Sequence, residues 1–243
     1  MRIITSLCIG VVLSVLCAPV LADEMQPPAV VLSCGHDDPV SGEGEAVPWM
    51  PTLTAVGNNL FTSQGTFTSP DGHWRVDWDM TVDPDPFVSG TWAITNLMPT
   101  TQNFTFIVSM PVAALPYTLM GGSMGGSTTD SNFNGLGGVS TVGTTPLYMG
   151  LIDGVGVLPI YPAPSSWSFT FAGETVTIPA VNSGLPGPTI PGPAVTTDIG
   201  IQLRFSLSPG DMASFTSFFV VEIPEPASLS MLALGGLALL RRK

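Results

Sequence analysis

The sequence predicts an all-β protein, a single antiparallel β-sandwich of jelly-roll or immunoglobulin-like type. One segment, residues 74–83, alternates apolar and polar side chains without a break, and a period of two is that of a half-buried strand. Short candidate strands recur along the chain between Gly, Pro, Asn and Asp residues, as in antiparallel sandwiches. The 27 glycines and 24 prolines among 243 residues disfavour long helices.

Alternation within the candidate strands indicates which side chains face the core. The candidate strand at residues 74–83 places five apolar residues on one face: Trp74, Val76, Trp78, Met80 and Val82. We predict that four large aromatic side chains lie inside the sandwich, since a strand's register fixes its buried face: Trp74, Trp78, Phe104 and Phe106. The further candidate strands are residues 89–97, 103–108, 145–152, 166–171, 175–178, 198–207 and 214–223.

Three stretches interrupt this pattern. Residues 33–46 are polar and acidic and are predicted to form a long loop. Residues 121–143 are rich in Gly, Ser and Thr, a composition that favours a mobile loop or a loosely packed edge. Residues 184–194 contain too many prolines for a central strand and are predicted to form an extended surface excursion.

The N-terminus has the layout of a secretory signal peptide. Arg2 precedes an apolar stretch at residues 3–16, and small residues lead to Ala22 just before two acidic residues. This pattern predicts a signal helix over residues 1–22 that is cleaved after Ala22. The β-sandwich body would then span residues 23–223, and the protein would be exported.

The last twenty residues form a tail with three parts. A Pro-Glu-Pro triplet is followed by an apolar run and a basic end: Pro224, Glu225 and Pro226, residues 227–240, and Arg241, Arg242 and Lys243. The prolines end the preceding structure, and the cations hold the C-terminus on the cytoplasmic side of a membrane. Fourteen apolar residues in a helix span roughly 21 Å, less than a hydrocarbon core of about 30 Å. This length favours a processed signal over the alternative, a permanent anchor.

The order and spacing of these parts resemble the PEP-CTERM sorting signal of Gram-negative bacteria, which is also called the ice-binding protein C-terminal domain. The resemblance covers residues 224–243 and implies sorting by exosortase, a membrane-embedded cysteine protease-transpeptidase that acts near the triplet. It also implies a cell-surface or extracellular destination, in organisms that make extracellular polysaccharide. It implies nothing about the activity of the body.

The body is strongly acidic once both ends are set aside. Residues 23–226 contain Arg75 and Arg204 as their only basic residues against eighteen acidic ones, a net charge of −16. Nucleic-acid binding requires clustered Lys and Arg and is therefore excluded. The charge is compatible with self-repulsion in solution, divalent cations or neutral glycans. Cys34 is the one cysteine outside the signal peptide, so the body can form no internal disulfide.

A segment in the Gly-rich stretch matches the first half of a calcium-binding loop. Asp130, Asn132 and Asn134 alternate and are followed by Gly135, so oxygen-bearing side chains recur before a glycine that permits a sharp turn. The twelfth position holds Thr141 in place of the usual bidentate Glu. These residues predict a weak Ca²⁺ site, and the alternative is an ordinary Asn-Gly turn. No other cofactor is expected.

The chain lacks a recognisable zinc or catalytic motif. Cys34, His36, Asp37 and Asp38 are of ligand type, but the chain offers only His73 as a further histidine, and a structural zinc site needs four ligands. No H-E-x-x-H motif is present. We therefore expect a non-enzymatic surface or extracellular-matrix protein, with a secreted carbohydrate-binding or carbohydrate-active module as the alternative.

Overall fold

The computed structural model describes residues 26–37 and 44–223. Within these residues sixteen strands follow one another: β1 (Val31–Asp37), β2 (Gly44–Trp49), β3 (Thr54–Gly57), β4 (Leu60–Thr68), β5 (Trp74–Asp83), β6 (Phe87–Asn96), β7 (Gln102–Pro111), β8 (Thr118–Thr129), β9 (Gly138–Ser140), β10 (Tyr148–Ile152), β11 (Val155–Ile160), β12 (Ser166–Ser168), β13 (Thr175–Ser183), β14 (Ile190–Gly192), β15 (Asp198–Leu207) and β16 (Met212–Glu222). The described part of the chain contains no helix long and apolar enough to cross a membrane.

The strands form two antiparallel sheets, which confirms the all-β, sandwich-like prediction. The first sheet has the order β11-β10-β15-β7-β1-β2, with β9 beside β15 and β12 beside β9. The second has the order β13-β8-β16-β6-β5-β4-β3, with β14 also paired to β8. The predicted signal helix and C-terminal helix lie outside the described residues, and the choice between jelly-roll and immunoglobulin-like topology stays a prediction.

The two ends of the sandwich are set by strand register. Met212 at the start of β16 pairs with Thr129, whereas Glu222 at its end pairs with Leu119. We call these the far end and the tail end, because the sorting tail follows Glu222. Strand β1 starts near the tail end, opposite Ser109 of β7, and runs toward the far end. Both described termini of the body are therefore at the tail end.

One continuous cluster of buried side chains fills the space between the sheets in the described residues. Trp74, Phe104 and Phe106 are at most 1% exposed, which confirms their predicted burial. Trp78 is different, since its ring is only partly buried and packs against the edge of the core. The Trp78 indole N–H donates to the Ser63 hydroxyl at 3.1 Å, which satisfies the polar end of a ring that stays near solvent.

The predicted loop at residues 33–46 is wrong. Its described parts are the second half of β1 and the start of β2, which pair with each other. The polar composition of this segment suggested a loop, but β1 also pairs with β7 along its whole length. Cys34 and Gly35 are buried in this strand. Residues 38–43 lie outside the described residues.

The predicted loop or loosely packed edge at residues 121–143 is also wrong in its first third. Strand β8 continues to Thr129 and is hydrogen-bonded on both sides, to β13 and to β16. Its glycines allow close packing: a Cβ on Gly126 would lie 2.1 Å from the Ser214 carbonyl oxygen, and one on Gly122 would meet Tyr148 and Leu158. Glycine here permits neighbouring backbone to approach. The surface excursion at residues 184–194 is confirmed as turns plus the short edge strand β14.

Candidate functional site

The three residues of the predicted calcium loop lie together at the far end, directly after β8. Asp130 is 1% exposed. Its Oδ1 accepts the backbone N–H of Asn134 at 3.3 Å, and its Oδ2 accepts those of Gly135 at 2.8 Å and Gly173 at 2.9 Å. These donors outweigh burial, which alone would raise the pKa, and hold the pKa of Asp130 below its usual range.

The side-chain oxygens of the two asparagines also accept backbone N–H groups of the loop. Asn132 Oδ1 accepts the backbone N–H of Asn134 at 3.0 Å, and Asn134 Oδ1 accepts that of Leu136 at 2.7 Å. Each amide oxygen keeps a second lone pair with which it could bind a cation. The hydroxyl of Thr141 donates instead to the Ser165 carbonyl at 3.3 Å. Each of the three predicted ligand residues thus accepts at least one backbone N–H, and calcium binding stays a prediction.

A second buried carboxylate, Asp211, faces this loop from the turn before β16. One of its oxygens accepts the Ser131 backbone N–H at 3.2 Å, and the other accepts the Ser208 hydroxyl. Burial and the nearby negative charge of Asp130 raise the pKa of Asp211, against the lowering effect of the Ser208 hydroxyl. This pair could not be predicted from the sequence, because the pairing of β8 with β16 is what brings the two carboxylates near each other.

A different cluster at the far end brings together both histidines of the protein. His36 lies near the end of β1, while Asp71 and His73 lie in the turn between β4 and β5. His36 Nε2 is 3.3 Å from His73 Nδ1. His73 Nδ1 is in turn 2.9 Å from Asp71 Oδ2. One ligand atom from each residue lies within 4.8 Å of the other two.

The turn that carries Asp71 and His73 is fixed by Ser69. The Ser69 hydroxyl donates to Asp71 Oδ1 at 2.5 Å and accepts the backbone N–H groups of His73 at 2.9 Å and Trp74 at 3.1 Å. Burial would raise the pKa of Asp71, but the Ser69 hydroxyl, the His73 N–H and the two imidazoles lower it. The backbone carbonyl of His73 accepts the N–H of Leu97 at 2.9 Å, so the turn is anchored at both ends.

His36 approaches this turn from the opposite sheet. Its ring lies edge-on to that of His73, with ring centres 5.2 Å apart, and near the buried ring of Phe104. Its other ring nitrogen, Nδ1, is buried and has no hydrogen-bond partner among the described residues. The sequence alone predicts no metal site at these histidines, because it offers no second Cys/His pair to complete a four-ligand set.

A groove of about 320 Å³ also opens at the far end. Hydroxyl groups supply much of its lining: Thr101, Ser140, Ser166, Ser168, Ser206 and Ser208. Leu136 and Phe169 also line it. Phe133 and Phe171, close to these two residues in the chain, are 72% and 63% exposed. Phe133 has a φ of 60°, which is strained for a bulky side chain.

The tail end has its own carboxylate, Asp153, in the hairpin between β10 and β11. Its oxygens accept backbone N–H groups from Thr196, Thr197 and Asp198 at 2.7 to 3.2 Å, together with two threonine hydroxyls. Burial opposes ionisation, but these donors hold the pKa of Asp153 far below its usual range. Asp153 thus ties the hairpin to the start of β15 and has a structural role.

Cys34 has no features of a reactive thiol. It is 0% exposed and lies in the core between the sheets. Burial raises the pKa of its thiol far above the usual range, so the nucleophilic thiolate is suppressed.

The comparisons with known proteins concern the C-terminus. The family model described as the PEP-CTERM protein-sorting motif matches residues 222–243. The chain carries a PEP-CTERM sorting motif. Such a motif implies an exported protein that exosortase sorts, and this confirms the resemblance drawn from the Pro-Glu-Pro triplet and basic end. No curated protein matches the chain.

The predicted sorting and cleavage residues all lie outside the described part of the chain: Ala22, Pro224, Glu225, Pro226, Arg241, Arg242 and Lys243. Their chain position still has a structural consequence. Strand β16 ends at Glu222, and only Ile223 separates it from the triplet. The sorting motif thus follows the last strand of the second sheet almost directly.

Proposed function

We propose that this protein is a non-enzymatic component of the cell surface or extracellular matrix, delivered there by its PEP-CTERM tail. The observation that carries the proposal is the motif at residues 222–243, attached directly to the end of β16. Exosortase is the partner that the motif implies. The acidic body, with a net charge of −16, suits life outside the cytoplasm because self-repulsion keeps it dispersed.

The arrangement of the body supports a role in which the tail end attaches and the far end is presented. Eleven residues of β16 at about 3.3 Å each separate the ends by about 36 Å. The two clusters and the groove therefore lie at the opposite end of β16 from the residue that leads into the tail. Matrix association would then use the far end, and extracellular polysaccharide is the partner we propose.

Deleting residues 227–243 tests delivery in the native host. We expect the truncated protein to be exported and released from the envelope as a soluble, folded body, because the apolar run that could hold it is gone. Replacing Pro224, Glu225 and Pro226 with alanines serves as the matched variant, since it keeps the apolar run and the basic end. This variant should still insert but should fail to mature.

Mass spectrometry of C-terminal peptides from the surface-located wild-type protein provides the direct readout. We expect such peptides to end near the triplet. If most of the surface pool contains peptides with Met231 and Leu240, the tail is a permanent anchor and the proposed processing is wrong. Co-fractionation of the mature protein with extracellular polysaccharide is expected, and its loss in a polysaccharide-deficient strain would support matrix association.

A carbohydrate-binding module is the second candidate, and one observation favours it. Hydroxyl groups line the groove of the far end, and the exposed residues Phe133 and Phe171 lie within three residues in the chain of its lining residues Leu136 and Phe169. Sugar rings pack against apolar surfaces while side-chain hydroxyls pair with their polar edges. The tryptophans do not contribute an exposed face in the described residues, since Trp74 and Trp92 are buried and the others are partly buried.

A further inference from the structure

We propose that His36, Asp71 and His73 form a binding site for a divalent transition metal of the zinc class at the far end. This inference is independent of the sorting function and of the predicted calcium loop, with which it shares no residue. It rests on three ligand atoms that converge on one point from two sheets.

The distances between the ligand atoms fit a metal of this size. Zinc binds imidazole nitrogen at about 2.0–2.1 Å in tetrahedral geometry, which places two such nitrogens about 3.3–3.4 Å apart. His36 Nε2 and His73 Nδ1 are 3.3 Å apart. Asp71 Oδ2 lies 2.9 Å from His73 Nδ1, so a small outward rotation of the carboxylate would complete a three-ligand set.

The three atoms are also hard to pair with one another by hydrogen bonds alone. His73 Nδ1 has two neighbours, His36 Nε2 and Asp71 Oδ2, and a neutral imidazole carries a single proton. If that proton goes to the carboxylate, the two imidazole nitrogens are left without a hydrogen bond between them. A cation placed among the three atoms accepts a lone pair from each.

The surroundings hold the ligands in position. The Ser69 hydroxyl and the His73 backbone N–H bind Asp71 Oδ1 and leave Oδ2 directed at the histidines. Carboxylate ligands in metal sites are commonly oriented by such hydrogen bonds. The Asp71 and His73 side chains are 45% and 38% exposed, so an ion can enter from solvent and find a coordination position open to water.

The chemistry of the donors selects the class of metal. Two imidazoles and one carboxylate suit Zn²⁺, Cu²⁺ or Ni²⁺, whereas Ca²⁺ and Mg²⁺ prefer sites built from oxygen alone. The bound ion would join β1 of the first sheet to the β4–β5 turn of the second. In a body whose one cysteine is buried in the core, this link would take the place of a disulfide between the sheets.

The test uses the full-length protein, purified in detergent without a polyhistidine tag, and zinc chloride as the probe. We expect one zinc ion to bind per chain in competition with a chromophoric chelator. Zinc at 100 times its dissociation constant should raise the melting temperature by about 5–10 °C through binding to the folded state. Cobalt substitution should give the intense visible absorption of a tetrahedral ion.

His73→Gln is the main variant, because His73 lies on a partly exposed turn and its loss should leave the fold intact. We expect it to weaken zinc binding at least about 100-fold, since loss of even an outer-shell partner costs 10- to 100-fold. His36→Gln and Asp71→Asn should act in the same direction. Asp79→Asn removes an exposed carboxylate of β5 outside the cluster and is the matched control.

Two results would overturn the proposal. The first is the absence of stoichiometric zinc binding in the wild-type protein at 100 µM zinc, about the weakest affinity that a dedicated site would have. The second is binding that His73→Gln leaves within twofold of wild type while circular dichroism shows both proteins folded. Failure of tail processing in the native host would leave this result unaffected.

Discussion

The two ends of the sandwich differ in what they hold. The far end gathers the histidine cluster, the buried pair Asp130 and Asp211, the hydroxyl-lined groove and two exposed phenylalanines. The tail end holds both described termini of the body and the hydrogen bonds that join Asp153 to the start of β15. The clusters of titratable side chains thus lie at the end opposite to the sorting motif. The tail end differs in having a larger cavity, of about 550 Å³, whose lining includes Gln26, Asn59 and Asp85.

The carboxylates of the two ends show the same difference in electrostatics. At the tail end, backbone and hydroxyl donors surround Asp153 and lower its pKa. At the far end, burial and the neighbouring Asp130 raise the pKa of Asp211. Asp153 thus stabilises a hairpin, and Asp130 at the far end likewise has a lowered pKa because backbone N–H groups donate to it. Only Asp211 is held beside another carboxylate at an electrostatic cost. Such a cost is common at binding sites.

The largest expected effect on stability comes from weakening the hydrogen bonds to Asp153 at the tail end. Asn also tolerates the observed φ of 50°, so Asp153→Asn should preserve the backbone. It removes the negative charge that accepts hydrogen bonds from five N–H and O–H groups of residues 196–198. At pH 7 the free energy of unfolding should fall by about 1 kcal/mol, below the roughly 1.5–3 kcal/mol of hydrogen bonds to charged groups, because solvent screens a partly exposed carboxylate. Urea unfolding monitored by tryptophan fluorescence measures this loss.

The pH dependence of this variant checks the cause. A folded-state pKa below the unfolded value of about 3.9 gives a stabilisation that is complete above that value and is lost as the pH falls through the folded pKa. The difference between wild type and Asp153→Asn should therefore shrink steadily below about pH 4. Asp79→Asn, on an exposed strand face, should show little difference at either pH. A deficit that stays constant down to pH 2.5 would mean that shape, not charge, matters at Asp153.

A smaller effect is expected from calcium at the far end. If Asp130, Asn132 and Asn134 bind Ca²⁺ weakly, 10 mM calcium should raise the melting temperature by a few degrees relative to chelator, because it binds the folded state. Asn134→Ala should abolish this gain while leaving the three hydrogen bonds of Asp130 in place. Asp130→Ala should abolish it too, but should also lower the melting temperature without calcium. Identical wild-type melting with calcium and with chelator would remove this site.

The strands that the sequence predicts best are those whose alternation is uninterrupted. The predicted bounds of β5 and β15 coincide with the observed Trp74–Asp83 and Asp198–Leu207, because one face of each strand packs on the core and the other does not. Strand β8 was missed because four glycines interrupt its alternation, and Met120 and Met124 are its only members of the described hydrophobic core. Its fit depends on how closely neighbouring strands approach, and a single sequence does not encode that distance locally.

The candidate sites also differ in whether local sequence predicts them. The calcium loop was visible because Asp130, Asn132 and Asn134 are close in sequence and their spacing alone defines a turn. The histidine cluster was not visible, since His36 and His73 meet only when β1 and the β4–β5 turn face each other across the core. The pairing of Asp130 with Asp211 likewise depends on the register of β8 and β16.

The smallest expected effect concerns Phe133 and tests whether backbone strain at the far end supports binding. Phe133 has a φ of 60° and a ring that is 72% exposed, so its backbone is strained and its side chain gains little from burial. Phe133→Asn should raise the free energy of unfolding by about 0.5 kcal/mol, since Asn tolerates this conformation. Phe171 is also exposed but has no such φ, so Phe171→Asn is the control and should not stabilise the protein.

Binding to the host's extracellular polysaccharide then tests whether the exposed rings of the far end contact glycan. If the far end is a glycan-binding surface, Phe133→Asn should be slightly more stable than wild type yet bind polysaccharide several-fold more weakly, because the lost ring would have packed against sugar. A residue that costs stability and supports binding is the expected trade-off at a functional surface. Unchanged polysaccharide binding by both variants would show that these rings make no glycan contact, and the carbohydrate-binding alternative would lose the observation that favours it.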